Sequence, residues 1–286
     1  MSEISEHELL RNFDAKFGIG LRNRHLKDVL SQKPKIDFLE IHPENYFGYG
    51  IELKLLREIA ATYPINFHCI GLSLGSSDGV SKEHVQKIKE LANILNPISI
   101  SDHVSWSASG NAHMPDLLPL PYTKETLAQV TNNIDFVQEQ LGRAILVENP
   151  STYISFGGDM TEPEFLNNLC NINGCRLLLD INNIFVNSHN HDFDAYEYID
   201  AIKSEFIREY HLSGHSKRMV GERELRIDTH DDFVTHEVWQ LYSYCVKNIA
   251  TPMTLIEWDK NIPELSVLLG ESNKAKSCLE RLYNAA

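Results

Sequence analysis

Residues 176–183, RLLLDINN, decide the fold. An apolar run of strand length, Arg176 to Leu179, stops on Asp180, Asn182 and Asn183. A strand buried on both faces looks like this where it surfaces at its carboxyl end. The same unit recurs on either side. Upstream lie Phe17 to Leu21, Ile36 to Ile41, Ile65 to Ile70, Pro97 to Ile100 and Ala144 to Val147; downstream lie Ile207 to Leu212 and Met253 to Ile256. Helical spacing separates several of them, clearest at Val85, Ile88, Leu91, Ala92 and Leu95, and at Leu127, Val130, Ile134, Val137 and Leu141. Thr123 is a fitting N-cap and Gly142 a fitting stop for the second helix. Thr161 with Glu164 reads as a capping box opening a shorter helix that ends near Cys170.

Eight strands alternating with helices predict an α/β (β/α)8 TIM barrel. An open doubly wound sheet is the alternative, but GIGLR (18–22) lacks the G-x-G-x-x-G spacing and GLSLGSSDG (71–79) is not a Walker loop. No internal repeat or linker divides the chain, so residues 1–286 read as one domain. Residues 1–16 form an N-terminal extension and 270–286 a C-terminal helix or tail. Ser105 to Tyr122, rich in Pro and small residues, reads as a long irregular loop over the active face.

The 286 residues carry a formal charge of −14, so a phosphate backbone is repelled and nucleic acid is a disfavoured partner. No apolar run approaches membrane-spanning length. The amino terminus carries Glu3, Glu6 and Glu8 where a secretory signal would be basic and then apolar, which predicts a cytoplasmic protein. Five cysteines without a C-x-x-C pair read as reduced, buried thiols.

The thirteen histidines are the anomaly. Strand two runs into His42, Glu44 and Asn45, strand three holds His68, strand four leads to Asp102 and His103, and strand five to Glu148 and Asn149. Strand six gives Asp180, Asn182 and Asn183, strand seven His211 and His215, the next loop Asp228 and His230, and strand eight Glu257 and Asp259. In a barrel these ends share one mouth. A single acid or histidine there is usually a solvated loop residue, but eight together would repel, and a cation is what holds Glu148, Asp180, Asp228 and Glu257 ionised side by side. His68, His103 and Glu148 form a two-histidine, one-carboxylate set. Glu148 has a second oxygen to bridge to a neighbour on Asp180, His211 and Glu257. Asp228 and His230 with Asn183 could hold a third ion. Iron, zinc and manganese all accept such ligands.

Around this set, His215 and Asp102 are the candidate catalytic groups, and Asn45, Trp106 and Asn149 the candidate substrate-binding ones. Trp258 either walls the pocket or packs in the core. Cys69, next to His68 in a strand, should face the core. His189 and His191 look ligand-like but sit where loop histidines cap or meet solvent. His7, His25, His84 and His236 read as surface.

The series GIGLRNRH, DFLEIHPENYFG, HCIGLSLGS, SDHVSWS, DLLPLPYT, ILVENPSTY, LLLDINNIFVNSHNH, YHLSGH, IDTHD and LIEWD resembles the multinuclear non-heme iron-dependent oxidative enzymes. This family includes the methanobactin biosynthesis oxidase and was catalogued as domain of unknown function 692. The likeness runs from about Gly18 to about Leu269. It implies a barrel of the xylose-isomerase-like type holding two to three iron ions. It also implies dioxygen as co-substrate, a cysteine-containing ribosomal precursor peptide as substrate, and a separately encoded peptide-recognition subunit as partner. The pattern is similar, too, to that of trinuclear zinc apurinic endonucleases. That likeness implies one metal on His68, His103 and Glu148, a second on Glu148, Asp180, His211 and Glu257, and a third on Asp228 and His230 with Asn183, which stands where the nucleases have histidine. Asp102 replaces a common Glu and Cys69 a frequent glycine.

Three function classes follow. A peptide-modifying iron oxidase fits the resemblance. A metal-dependent phosphoesterase or endonuclease is the alternative; the negative charge and the lack of a basic cluster weigh against it, and a sugar isomerase would want a lysine motif in the mouth. A non-catalytic metal or peptide binder would be separated from the first by turnover with dioxygen.

Overall fold

The computed structural model describes residues 15–48, 50–109 and 112–285. Eight parallel strands close into a barrel: β1 (Phe17–Gly20), β2 (Phe38–Ile41), β3 (Ile65–His68), β4 (Ile100–His103), β7 (Leu146–Glu148), β8 (Arg176–Asp180), β9 (Ile207–Leu212) and β12 (Met253–Ile256), with β12 pairing back onto β1. The other four strands form two antiparallel hairpins, β5–β6 (Trp106–Ser109 with Ala112–Leu118) and β10–β11 (Ser216–Val220 with Arg223–Ile227). No helix among the described residues is long and apolar enough to cross a membrane.

Strand alternation makes two cores. On β8, Leu177 and Leu179 join the hydrophobic core beneath the helices, whereas Leu178 and Asp180 fall on the other face, inside the barrel. Cys69 packs into the outer core, as expected from its place beside His68. The helices begin and end where their caps dictate. Ser81 caps Lys82–Leu95 by accepting from His84 N, and Thr123 caps Lys124–Leu141, which stops at Gly142 with φ +69°. Thr161 and Glu164 make a reciprocal capping box.

Several expectations are corrected. The fourth strand lies at Ile100–His103 rather than at Pro97 to Ile100, because pairing with β3 begins only where Phe67 meets Ile100. The stretch after Ser105 is a hairpin, not an irregular loop. The capping-box helix continues past Cys170 to Asn173 and stops at Gly174, φ +72°. His25 is fully buried, its Nε2 2.8 Å from Pro263 O, and half-buried His84 pairs with Glu44 at 3.1 Å; of the three that are described, only His236 is a surface residue. His7 and most of the N-terminal extension lie outside the described residues. The C-terminal segment belongs to a helix, Leu265–Ala285, packed on β1 and β12.

One half-buried acid outside the barrel mouth makes stability depend on pH. Burial pushes the Glu162 carboxyl up to about 7, although its Oε1 accepts a hydrogen bond from the Tyr122 hydroxyl at 2.7 Å. The fold favours the protonated acid, so this stabilisation is complete below the ordinary carboxylate pKa and is lost as pH rises from there through about 7. Glu162→Gln keeps the acceptor and removes the titration. Its melting temperature relative to wild type should rise between pH 5 and pH 8, by the equivalent of up to about 3 kcal/mol. A difference that does not change with pH would count against this account.

Candidate metal centre

Register brings the inward polar side chains together. Cα partners pair His103 with Glu148 and Asp180 with His211, and Glu257 follows directly on the Ile256–Leu212 pair. All six of His68, His103, Glu148, Asp180, His211 and Glu257 are buried.

Glu148 Oε2 lies 3.2 Å from His68 Nε2 and 3.3 Å from His103 Nε2. The state of His68 follows from its neighbours. Ser101 Oγ donates to Phe67 O at 3.2 Å, so it accepts from His68 Nδ1 at 2.8 Å. His68 Nε2 then carries a lone pair aimed at a carboxylate oxygen. Burial, and then the charge of His103, hold its pKa well below the ordinary imidazole value, which keeps that lone pair unprotonated. A cation between the three groups would turn this repulsion into attraction. Glu148 shows the same strain, since burial pushes its carboxyl up to about 8 against the pull of His103 and His211. Burial would lower His103, but Glu148 and Asp102 overcome it and raise the ring to about 9.

A second focus is Glu257 Oε2, 3.1 Å from His211 Nδ1 and 3.3 Å from His230 Nδ1. Atoms of Asp180, His230 and Glu257 lie within 4.8 Å of one another, as do those of His68, Glu148 and His211. Asp180 Oδ1 accepts from Asn183 N at 2.6 Å as the N-cap of the helix Ile181–His191, which leaves Oδ2 buried without a hydrogen-bond partner. Burial drives that carboxyl up to about 7. His230 Nε2 is 2.6 Å from Asp228 Oδ1. Asn183 Nδ2 donates to Asn149 O at 3.0 Å, so its Oδ1 is a buried acceptor with no donor. Acceptors without donors, with the His68 lone pair among them, are the donor set a divalent or trivalent cation satisfies.

The other sequence candidates take different places. Asn45 lines the cavity of about 630 Å³ above the cluster, whose wall includes Met114 to Leu117 of the β5–β6 hairpin and Tyr153. Trp106 does not line it and donates its indole N–H to Pro119 O at 3.1 Å. Asn149 does not line it either; its amide brackets the Asp180 backbone, accepting from N at 2.9 Å and donating to O at 3.0 Å. Asp102 accepts from Leu72 N at 2.8 Å and His103 N at 2.6 Å, pinning the loop after β3 from below. His215 sits behind Asp228: its Nδ1 is 2.8 Å from Asn182 Oδ1, and Asn182 donates to Asp228 Oδ1 at 2.7 Å. His189 and His191 lie in the helix Ile181–His191 rather than in a loop, with their Nε2 atoms 3.2 Å from Glu224 O of β11 and 2.9 Å from Thr152 Oγ1. Trp258 is buried, edge-on to Phe233.

Two groups, one at the mouth and one below it, were missed in the sequence. Arg22, just past β1, donates from Nε to Asp259 Oδ1 at 3.1 Å and lies 3.7 Å from Glu257. Glu40, in the middle of β2, is 3.3 Å from His211 Nε2.

A closed parallel barrel with histidines and carboxylates gathered at the carboxyl ends of its strands defines a TIM barrel of the xylose-isomerase-like type with a candidate metal centre. Within that class the chain belongs to the family described as RiPP precursor modification enzyme MbnB/TglH/ChrH, which it matches over residues 16–280. A UPF0276 protein of Psychromonas ingrahamii is 44% identical over 90% of this chain and 92% of its own. One from Vibrio parahaemolyticus is 43% identical over 95% of each. Among solved structures, L-ribulose 3-epimerase superposes with a TM-score of 0.61 at 11% identity, covering 95% of this chain and 96% of that one. A xylose isomerase-like barrel protein of Mycobacterium smegmatis in complex with magnesium gives 0.59 at 10% over 94% and 98%. Endonuclease IV of Thermus thermophilus gives 0.55 at 16% over 95% and 100%. At these identities the likeness is one of fold.

Proposed function

We propose that the chain is a multinuclear non-heme iron, dioxygen-dependent oxidase that modifies residues, cysteines foremost, of a ribosomally synthesised precursor peptide. Membership of a precursor-modifying family supports the peptide substrate. The observation that carries the metal reading is Glu148 Oε2 facing the unprotonated Nε2 of His68, with His103 Nε2 on its other side.

In this reading His68, His103 and Glu148 hold one ion, Glu148, Asp180, His211 and Glu257 a second, and Asp228, His230 and Asn183 a third where it is bound. The bound irons supply open positions for a substrate thiolate and dioxygen, and redox equivalents for the oxidation. The chain's own residues do the rest. Ser101 fixes the His68 tautomer, and Asp180 is aligned by the Asn149 bracket. Asn182 passes the orientation of His215 to Asp228, which makes His215 a positioning residue here rather than a catalytic one. Arg22 neutralises part of the charge on Glu257 and Asp259. The cavity of about 630 Å³ has room for a peptide turn but not a folded domain, so the segment to be modified enters extended, presented by a separate recognition subunit. A reducing, cytoplasmic setting goes with five buried free cysteines.

The test is metal analysis with Mössbauer spectroscopy on protein purified without oxygen from iron-replete cells. Two to three irons per chain, with a spectrum perturbed by added thiol, are expected. Stoichiometric zinc that iron does not displace would replace this reading with a hydrolase, and a folded protein that takes up no metal would end it.

A further inference from the structure

Below the mouth, the barrel interior holds a second group of polar side chains that the metal reading does not use. Glu40 of β2, Asn66 of β3 and Glu209 of β9 are all fully buried. Asn66 Nδ2 donates to both oxygens of Glu209, at 2.8 and 2.9 Å. Neither oxygen of Glu40 has a hydrogen-bond partner at good geometry, and the same is true of His211 Nε2, 3.3 Å from Glu40 Oε1. The His211 ring therefore spans two carboxylates, with Nδ1 toward Glu257 at the mouth and Nε2 toward Glu40 in the interior.

That span has a consequence for the ring. A metal held with Asp180 and Glu257 takes the Nδ1 lone pair, and a neutral imidazole must then carry its proton on Nε2. With the ring buried, water does not reach that N–H, and an unmatched buried donor costs about 1–3 kcal/mol. Glu40 is the acceptor in place. We infer that Glu40 is a positioning residue for the metal centre, accepting the Nε2 proton of His211 and so fixing the tautomer and ring plane that present Nδ1 to the ion. This rests on the metal reading above. It is the carboxylate–histidine–metal arrangement in which the outer carboxylate raises the basicity of the ligand. Glu209, held by Asn66, is kept from competing for the same proton.

The experiment titrates Co2+, a coloured stand-in for iron, into wild-type, Glu40→Gln and Glu40→Leu protein against a competing chelator, and records the melting temperature of each metal-free form. Gln keeps a neutral acceptor and Leu keeps none. One Co2+ equivalent should weaken about tenfold in Glu40→Gln and about a hundredfold in Glu40→Leu, while the equivalent on His68 and His103 is unchanged. The metal-free Glu40→Gln protein should melt close to wild type, since the amide keeps an acceptor beside the His211 ring, whereas Glu40→Leu breaks a buried pair and should melt lower. Unchanged Co2+ affinities, or a lowered metal-free melting temperature with no selective loss of affinity, overturn the assignment. So does a whole extra equivalent lost from the variants with the mouth ions unaffected, which would make the interior cluster a cation site itself. Wild-type protein that binds no Co2+ overturns the metal reading as well, which separates the two failures.

Discussion

Glu148→Gln should leave a folded protein stripped of its metal centre. The substitution preserves volume and packing on β7 but exchanges a carboxylate for an amide whose nitrogen cannot ligate. In the proposed reading two ions share Glu148 and both lose a charged ligand, so bound metal should fall by about two equivalents and turnover by roughly 10³-fold or more. Stability should move the other way in the metal-free state. Without an ion, Glu148 is a buried acid whose ionisation the fold resists, as its rise to about 8 records, and the neutral amide avoids that cost. The metal-free variant is therefore expected to melt at or above metal-free wild type near pH 8. Adding metal should raise the wild-type melting temperature, by the equivalent of about 2.7 kcal/mol at a hundredfold excess over Kd, and leave the variant where it was. Calorimetry with and without a chelator, beside metal analysis, checks all three. A variant that keeps full metal content would show that Glu148 is not a bridging ligand.

The barrel was legible because its strands are short apolar runs buried on both faces, and RLLLD needs no neighbour to be read. The hairpins were not. Ser216–Val220 is exposed along almost its whole length, and a strand without a buried face carries no alternation. Ala112–Leu118 contains Pro115, which argued for a loop. The fourth strand slipped because Ile98 belongs to the apolar run yet is 41% exposed. At the mouth, residues at strand ends were easy to collect, since eight strands in parallel must deliver them to one rim. Glu40 gave an equally plain signal, an acid inside FLEI, but lies mid-strand where a search of strand ends does not look. The Arg22 to Asp259 pair joins the first and last strands across 237 residues, a distance only closure of the barrel removes. For His215, Asn149 and Trp106 the residue type was informative and the direction was not. Turns decide which way each points, and spacing after a Ser-Gly step does not encode it.

Among the described glycines, Gly214→Ala should do the most damage. An added Cβ would lie 2.2 Å from Asp232 O and 2.5 Å from Asp232 C, backbone atoms with no rotamer to escape into. One of the two loops that meet there carries His230, assigned above to the proposed third metal. His230 N donates to Gly214 O at 3.1 Å, and His230 O accepts from Asp259 N at 2.7 Å. These bonds hold His230 in a left-handed conformation, φ +46°, which a residue with a side chain adopts at a cost of about 1 kcal/mol or more. Forcing the loops apart removes the clamp and the strain relaxes, carrying the imidazole away from Asp228 and Glu257. The variant should lose about 2–4 kcal/mol of stability and the ion nearest His230, while His68 and His103 keep theirs. Gly270→Ala is the control. Its Cβ meets nothing within 4 Å, and on the exposed face of the helix Leu265–Ala285 alanine is the better residue, so that protein should melt at or slightly above wild type. A Gly214→Ala protein that melts with the control and binds its full complement of metal would mean that the loop carrying His230 does not pack on Gly214.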